Sequence, residues 1–504
     1  MNGTGRVRVL TWAVLLIYGV LLFLTLARHE LWGDEIHSWN IARSSQGLMD
    51  LLRNSRYEGH PPLWYVVLYT LTRITHDPAS MKVAQALFAM AMVCLVLFAS
   101  PFPLAIRALI PFGYYFTFEY GALSRNYAMA VALALLTTWV VTRRPRHLQL
   151  WFHALVLLLS STHLLGLLLA LSFCAVHAWR ERVRHGSTPR ALLQLAIGAL
   201  ICLPAALRIA PPGDSELNLQ FWMDHWTEHQ WDIMAQAPLK AFIPIPDGGQ
   251  FHFWNTNALL ERIPKDGTGR LMVRWSAVAL LALLGVLLRN VPAAAAFFTC
   301  NALLTAAVAF IFPLTSARYV GFLFVAFLIA AWLHQHERPI PRGARIVLVL
   351  ILVVQVAASM IPIRRDLAEP FSNSSKVREL FAQVPPDALT VTDYWCLNNL
   401  SAFLDRPFYC LEHRKELTYL RWDQELARAI QQPNFYSSGL RDLWDRRSLQ
   451  EVYMISVNEP GRLLSVDGEL SATFEVTLLD RWEGAIEPRS NVYLYRITRR
   501  PSDP

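Results

Sequence analysis

Two adjacent carboxylates, Asp34 and Glu35, stand in the stretch WGDEIHSWNIARSSQGLMDLLRNSRYEGHPPLWY, which runs from Trp32 to Tyr65. They follow directly on the first long apolar run, and the chain returns to apolar sequence through Glu58, His60 and the pair Pro61-Pro62. Acids at a membrane face are costly to desolvate and mark function, whereas plain loop charges would simply be solvated. Carboxylates so placed suit general-base work on a hydroxyl. Asp34, Glu35, Glu58 and His60 are also the candidates for holding a divalent metal ion, because hard oxygen donors with an imidazole suit one. The choice depends on which other polar groups reach the same side of the bilayer.

The elements that must position them are membrane spans. The chain has 504 residues, of which 54% are hydrophobic, and long, nearly uncharged apolar runs recur from Val9 to Pro362. Spans are expected at about 9–27, 83–99, 105–120, 126–142, 148–162, 164–179, 191–209, 271–288, 291–312, 319–333 and 344–362. The first is read as a retained span, since its apolar stretch is too long for a signal peptide and lacks a small-residue cleavage site. From Ile363 the charges return and a domain-sized segment follows, so residues 1–362 form a membrane domain and 363–504 a soluble one. The net charge of +8 reflects Arg in short loops rather than a nucleic-acid groove, for no basic stripe with interleaved aromatics occurs.

Charge parity orients the chain. Arg6 and Arg8 place the N-terminus inside, as do the clusters at Arg143-Arg144-Arg146, Arg180 to Arg190 and Arg338 to Arg345. The segment 61–74 has two prolines and is too short to cross, so it reads as a re-entrant or interfacial helix. About eleven crossings result, with the C-terminal domain outside. The first outer loop (28–82), the Glu119-to-Tyr127 turn, the Ser161-Thr162-His163 turn, the outer loop 210–270 and the Thr315-to-Tyr319 turn then share one face with that domain.

Loop 210–270 carries Trp222 and Trp226, candidates to stack on the apolar faces of a sugar or to lie in the interfacial belt. His225-Trp-Thr-Glu228-His229 spells HxxEH, a short pattern with a large false-positive rate. Four of the six cysteines lie in apolar spans, and Cys396 and Cys410 of the soluble domain could pair in an oxidising compartment. That domain reads as α/β. Helices are expected at Ser375–Gln383 and Glu416–Gln431, and strands at Leu389–Thr392, Pro407–Leu411, Glu451–Val457, Phe474–Leu479 and Asn491–Ile497, in a parallel or mixed sheet. It has no GxGxxG or P-loop.

With Asp34-Glu35, the re-entry signature EGHPPLWY, the turn ALSRNYAM and this topology, the chain resembles the GT-C superfamily of membrane glycosyltransferases. It resembles most the branch holding protein O-mannosyltransferases and lipid A aminoarabinose transferases. The resemblance covers roughly residues 9–335 and is strongest at 32–70. It departs from the aminoarabinose branch at Gly59-His60, where that branch has an acid and Lys before the prolines. The Arg-, Leu- and Ala-rich composition points to a bacterial inner membrane as the setting, and the resemblance implies a membrane enzyme. It would move a sugar from a polyprenyl-phosphate carrier to a glycolipid, polysaccharide or protein hydroxyl on the outer face.

By resemblance Asp34 is the base, with a pKa expected to be raised by the nearby bilayer and Trp32. Glu35 would position the site or assist a metal. Arg125 and Arg318 are the candidates for the donor phosphate, because guanidinium binds phosphate oxygens bidentately. His60, His163, Tyr127 and Tyr319 would assist them, although each Arg can also be a head-group anchor and His163 an interior histidine bonded to a carbonyl. Glu119 could pair with Arg125 or cap its turn. The competing class is a non-enzymatic lipid or glycan transporter or flippase, which would place charged or broken helices at the midplane.

Overall fold

The computed structural model describes residues 3–215, 229–250, 252–312, 314–432, 434–447 and 449–500. Its first part is helical. Long apolar helices α1 (Gly3–Arg28), α5 (Met81–Cys94, continued by a π turn to Ala99), α9 (Leu164–His185) and α10 (Thr188–Ile209) are followed, after the shorter α11 (His229–Phe242), by α12 (Gly267–Leu288), α13 (Pro292–Ile311), α14 (Ala317–Glu337) and α15 (Arg342–Ala368). Among the described residues these are the eight helices long and apolar enough to cross a membrane, so the chain is a multi-pass membrane protein. The other three expected crossings fall short in length or composition. They are the interrupted run of α6 (Leu104–Leu109), a 3-10 turn and a π turn ending at Glu119; α7 (Asn126–Arg143); and α8 (Leu148–Ser160).

Helix α14 is the axis of the bundle, buried over 94% of its apolar window. A helix enclosed on all sides can be apolar all round, and its run from Val320 to Leu333 is. Its neighbours come close because Gly321 has no side chain: a Cβ there would strike the Tyr115 ring and the Tyr120 hydroxyl. The Tyr120 hydroxyl donates instead to the Arg318 carbonyl at 2.9 Å, tying the turn after the π segment to the start of α14.

Between α1 and α5 lie α2 (Gly33–Ser44), α3 (Leu48–Asn54) and α4 (Leu63–Thr72). At ten residues, α4 is about 15 Å long and cannot cross. Its first amide donates to the Ser161 carbonyl (3.2 Å), which joins the Pro61-Pro62 re-entry to the turn between α8 and α9. Helix α2 starts with Asp34 and Glu35 in its first turn, where the helix dipole favours negative charge. It is buried from Glu35 to Ala42, unusual for a loop helix. The reason is that it lies between α4 and a helix of the soluble domain, with Trp39, Ile41, Trp64, Tyr65, Leu68 and Ala402 in one apolar cluster.

The C-terminal domain is a six-stranded mixed sheet in the order β3-β2-β1-β4-β6-β5, with β1 (Thr390–Thr392) parallel to β2 (Phe408–Cys410) and β4 (Glu451–Ser456). Strands β3 (Lys415–Leu417), β5 (Phe474–Trp482) and β6 (Val492–Arg499) pair antiparallel. Alternation divides β4 between two cores: Val452 and Met454 face one, Tyr453 and Ile455 the other. The expected helix at Glu416–Gln431 is corrected. Lys415–Leu417 extends the sheet edge instead, and the helix begins only at Gln424, capped by Asp423. The helix expected at Ser375–Gln383 shortens to a 3-10 turn and Val377–Phe381. Asp393 caps the helix Tyr394–Leu404, its carboxylate accepting from the Cys396 amide at 2.8 Å. Cys396 and Cys410 are free, buried thiols.

Candidate active site

Four helix N-termini converge on one end of the bundle, and each carries a residue singled out above. Asp34 lies in the first turn of α2, Arg125 is the N-cap of α7, His163 the N-cap of α9, and Arg318 lies in the first turn of α14. The convergence is held by specific contacts. Arg318 Nη2 donates to Asp34 Oδ2 at 3.1 Å, and Arg125 Nη1 lies 3.9 Å from the same oxygen while donating to the Asp34 carbonyl. Asn126 donates to the Thr162 carbonyl at 3.1 Å. The Tyr127 ring sits 5.1 Å from His163 and 6.2 Å from Tyr319, centroid to centroid. N-terminal helix ends favour anions, and two guanidinium groups add to that field.

Asp34 is the exposed member of the group, its side chain 42% accessible. The expectation of a raised pKa is corrected. Burial does act upward, but Arg125 and Arg318, with His37 behind them, outweigh it and hold the carboxyl below its usual range. Arg318 itself is buried, with its guanidinium carbon 5.5 Å from the Trp32 ring centre and 5.6 Å from that of Tyr319.

Beside this group a cavity of about 400 Å³ has His60, Tyr127, His163 and Tyr319 in its lining. Its walls are apolar, from Leu165, Ile209, Val308 and Ile311. The His163 Nδ1 accepts the Leu165 and Gly166 amides at 3.0 and 3.2 Å, so its proton is on Nε2. That outcome differs from the carbonyl-bonded interior histidine considered above. His163 Nε2, the Tyr127 hydroxyl, and Nε and Nη1 of Arg318 are buried with no hydrogen-bond partner among the described residues. All four are donors. Buried donors without acceptors are destabilising, and four together match an oxygen-rich anion. His60 is kept neutral, pushed down to about 4 by burial and by Arg125.

Glu35 has the opposite fate. Fully buried, it accepts the Trp32 amide at 3.1 Å and the Ser124 amide, and faces His29 Nε2 at 3.3 Å. Glu58 is taken up by His37 Nε2 at 2.8 Å. The four metal candidates therefore do not fit a metal ion as a set: Asp34 is engaged by guanidinium, Glu35 faces inward and Glu58 holds His37. Among the described residues no three His, Cys, Asp or Glu side chains form a metal-holding group. Glu119 receives the Tyr114 hydroxyl at 3.0 Å rather than pairing with Arg125. Trp222, Trp226, His225 and Glu228 lie outside the described residues. A larger cavity, about 770 Å³, opens at the amino ends of β1, β2 and β4.

Sequence reasoning missed His37 and Asn398. His37 Nδ1 lies 3.3 Å from Asn398 Oδ1, and Asn40 donates to the Asn398 carbonyl at 2.8 Å, so the soluble domain grips the helix that carries Asp34. Their shared role could not be read from spacing, because 361 residues separate them.

The helical bundle carries the acidic first loop at its helix N-termini, with the mixed-sheet domain against it. No protein-family model matches the chain, and no curated protein matches it. Among solved structures it is similar to ArnT from Cupriavidus metallidurans bound to undecaprenyl phosphate, with 14% identity, a TM-score of 0.53 and 98% of each chain covered. The apo state of the same protein is similar with 13% identity, the same TM-score and the same coverage. The GT-C-type fold anticipated from sequence is thereby shown along 98% of the chain, and the chain is a multi-pass membrane protein.

Proposed function

We propose that the protein is a membrane glycosyltransferase that moves a sugar from a polyprenyl-phosphate-linked donor to an acceptor hydroxyl. The observation that carries this reading is the set of unpaired buried donors beside an apolar-walled cavity, with Asp34 held next to them by two guanidinium groups. The cavity suits a lipid tail, and Arg318, Tyr127 and His163 suit a phosphate. The relative bound to undecaprenyl phosphate shares this fold and supports the choice of donor.

In the reaction, Asp34 takes the proton of the acceptor hydroxyl as its oxygen attacks the anomeric carbon. The carbon–oxygen bond to phosphate breaks, and its electron pair stays on the phosphate, where Arg125 and Arg318 offset the charge. Two guanidinium groups make Asp34 a weak base on its own. A donor phosphate drawing on the same cations reduces their hold on the carboxylate, so basicity rises when substrate is present. Glu35 positions and does not react.

The Arg clusters at residues 143–146 and 180–190 lie at the far ends of helices whose N-termini build the site. By the positive-inside rule the site then opens on the non-cytoplasmic side of a bacterial inner membrane. A transporter would carry polar groups along the bundle, whereas these gather at one end. Incubating membranes with a panel of polyprenyl-phosphate sugars and weighing the products by mass spectrometry tests the proposal. One sugar added to an acceptor, with free polyprenyl phosphate released, is expected; donors returned unchanged across the panel would refute it.

A further inference from the structure

Behind Asp34, His29 lies fully buried between two carboxylates. Its Nε2 faces Glu35 at 3.3 Å and its Nδ1 faces Asp366 Oδ2 at 3.1 Å. Glu35 lies at the start of α2 and Asp366 near the end of α15, so one imidazole joins the ends of α1, α2 and α15. The Phe371 ring closes over His29 at 4.6 Å. Glu35 in turn accepts the amide of Ser124, the residue before Arg125, and the amide of Trp32, the N-cap of α2. The same carboxylate thus fixes both the helix end that carries Asp34 and the turn that carries Arg125.

From this geometry we infer that His29 and Asp366 are positioning residues which, acting through Glu35, set the separation between Asp34 and Arg125. With an acceptor at each ring nitrogen, both nitrogens donate and the ring is an imidazolium. Burial alone would lower its pKa, but Asp366 and Glu35 raise it to about 10. Unpairing any member leaves a buried charge uncompensated, which is strongly destabilising locally. The arrangement is therefore an all-or-none pin rather than a graded one. Its kinetic consequence rests on the transfer reaction proposed above; its structural consequence does not.

The test uses the full chain in membranes. Asp366→Asn keeps the size but removes the charge, and misplacement of Asp34 against Arg125 should lower kcat about 10- to 100-fold. The donor KM should stay within about threefold, because Arg318 is not held by the pin. Asp366→Glu should restore most of the loss. Independently, carbodiimide labelling of Asp34, read by peptide mass spectrometry, should speed up severalfold in Asp366→Asn as its pairing with Arg125 loosens. His29→Gln serves as the second variant if Asp366→Asn does not accumulate. If wild-type membranes transfer no sugar, the transfer reading fails while the labelling arm still decides this inference. Unchanged labelling, or equal losses in kcat, donor affinity and thermal stability, would overturn it.

Discussion

Asp34 and Glu35 are neighbours in sequence, set about 100° apart around α2, and they meet opposite surroundings. Asp34 is half-exposed and faces Arg125 and Arg318 beside the cavity. Glu35 is sealed, with His29 and two backbone amides around its carboxylate. The difference separates chemistry from placement: the exposed acid can exchange a proton with a substrate, and the buried one can only hold its neighbours still. An acidic pair at a membrane edge thus need not be a two-acid catalyst or a metal site.

Breaking the comparison at its exposed side should have the largest effect. Asp34→Asn is expected to lower kcat by about 100- to 10,000-fold with donor binding kept, measured as initial transfer rates in membranes. Arg318→Ala removes a charge-assisted contact of about 1.5–3 kcal/mol, so the donor KM should rise roughly 10- to 100-fold while acceptor affinity changes little. The same variant sharpens the electrostatic reading. Asp34 is depressed by its guanidinium partners, so it stays ionised as pH falls through the ordinary carboxylate range, and the acid limb of kcat/KM lies below that range. In Arg318→Ala the limb should move to higher pH.

At the sealed side, Glu35→Gln should cost about 10- to 100-fold in kcat by releasing the pin, as Asp366→Asn does and less than Asp34→Asn. Stability offers a second check there. The folded pKa of His29 is raised to about 10, so its contribution is complete below the unfolded value of about 6.5. That contribution fades as pH rises toward 10, and thermal melts at pH 7 and pH 10 should differ less in His29→Gln than in wild type. The smallest effect is expected from Asn398→Leu. It removes the side-chain partner of His37 while keeping the backbone carbonyl that Asn40 donates to, and should cost about 1–3 kcal/mol in stability, read by thermal unfolding, with kcat within a few-fold of wild type.

Much of this architecture was legible in the sequence because bilayer thickness constrains span length and parity then fixes which turns share a face. That logic brings Asp34, Arg125, His163 and Arg318 to one end, since each sits at a helix start. It could not supply the sign of the Asp34 shift, which depends on guanidinium groups 91 and 284 residues away. Nor could it pair His29 with Asp366, 337 residues apart. The lone acid in IPIRRDLA, at the end of the last apolar run, was the available signal. In the soluble domain, Glu416–Gln431 has helix-forming composition throughout, but hydrogen bonding to β2 claims its start as an edge strand. The two sequons at Asn373 and Asn399 place buried side chains, 3% and 2% exposed, where no glycan could attach to the folded chain.

The most direct test of the account is a cryo-electron microscopy structure of the protein in lipid nanodiscs with added polyprenyl phosphate. Phosphate density within hydrogen-bonding distance of Arg318 and Arg125, with the lipid tail running along Leu165, Ile209 and Val308, is the predicted result. Phosphate bound elsewhere, with the Asp34–Arg318 pair untouched, would contradict it.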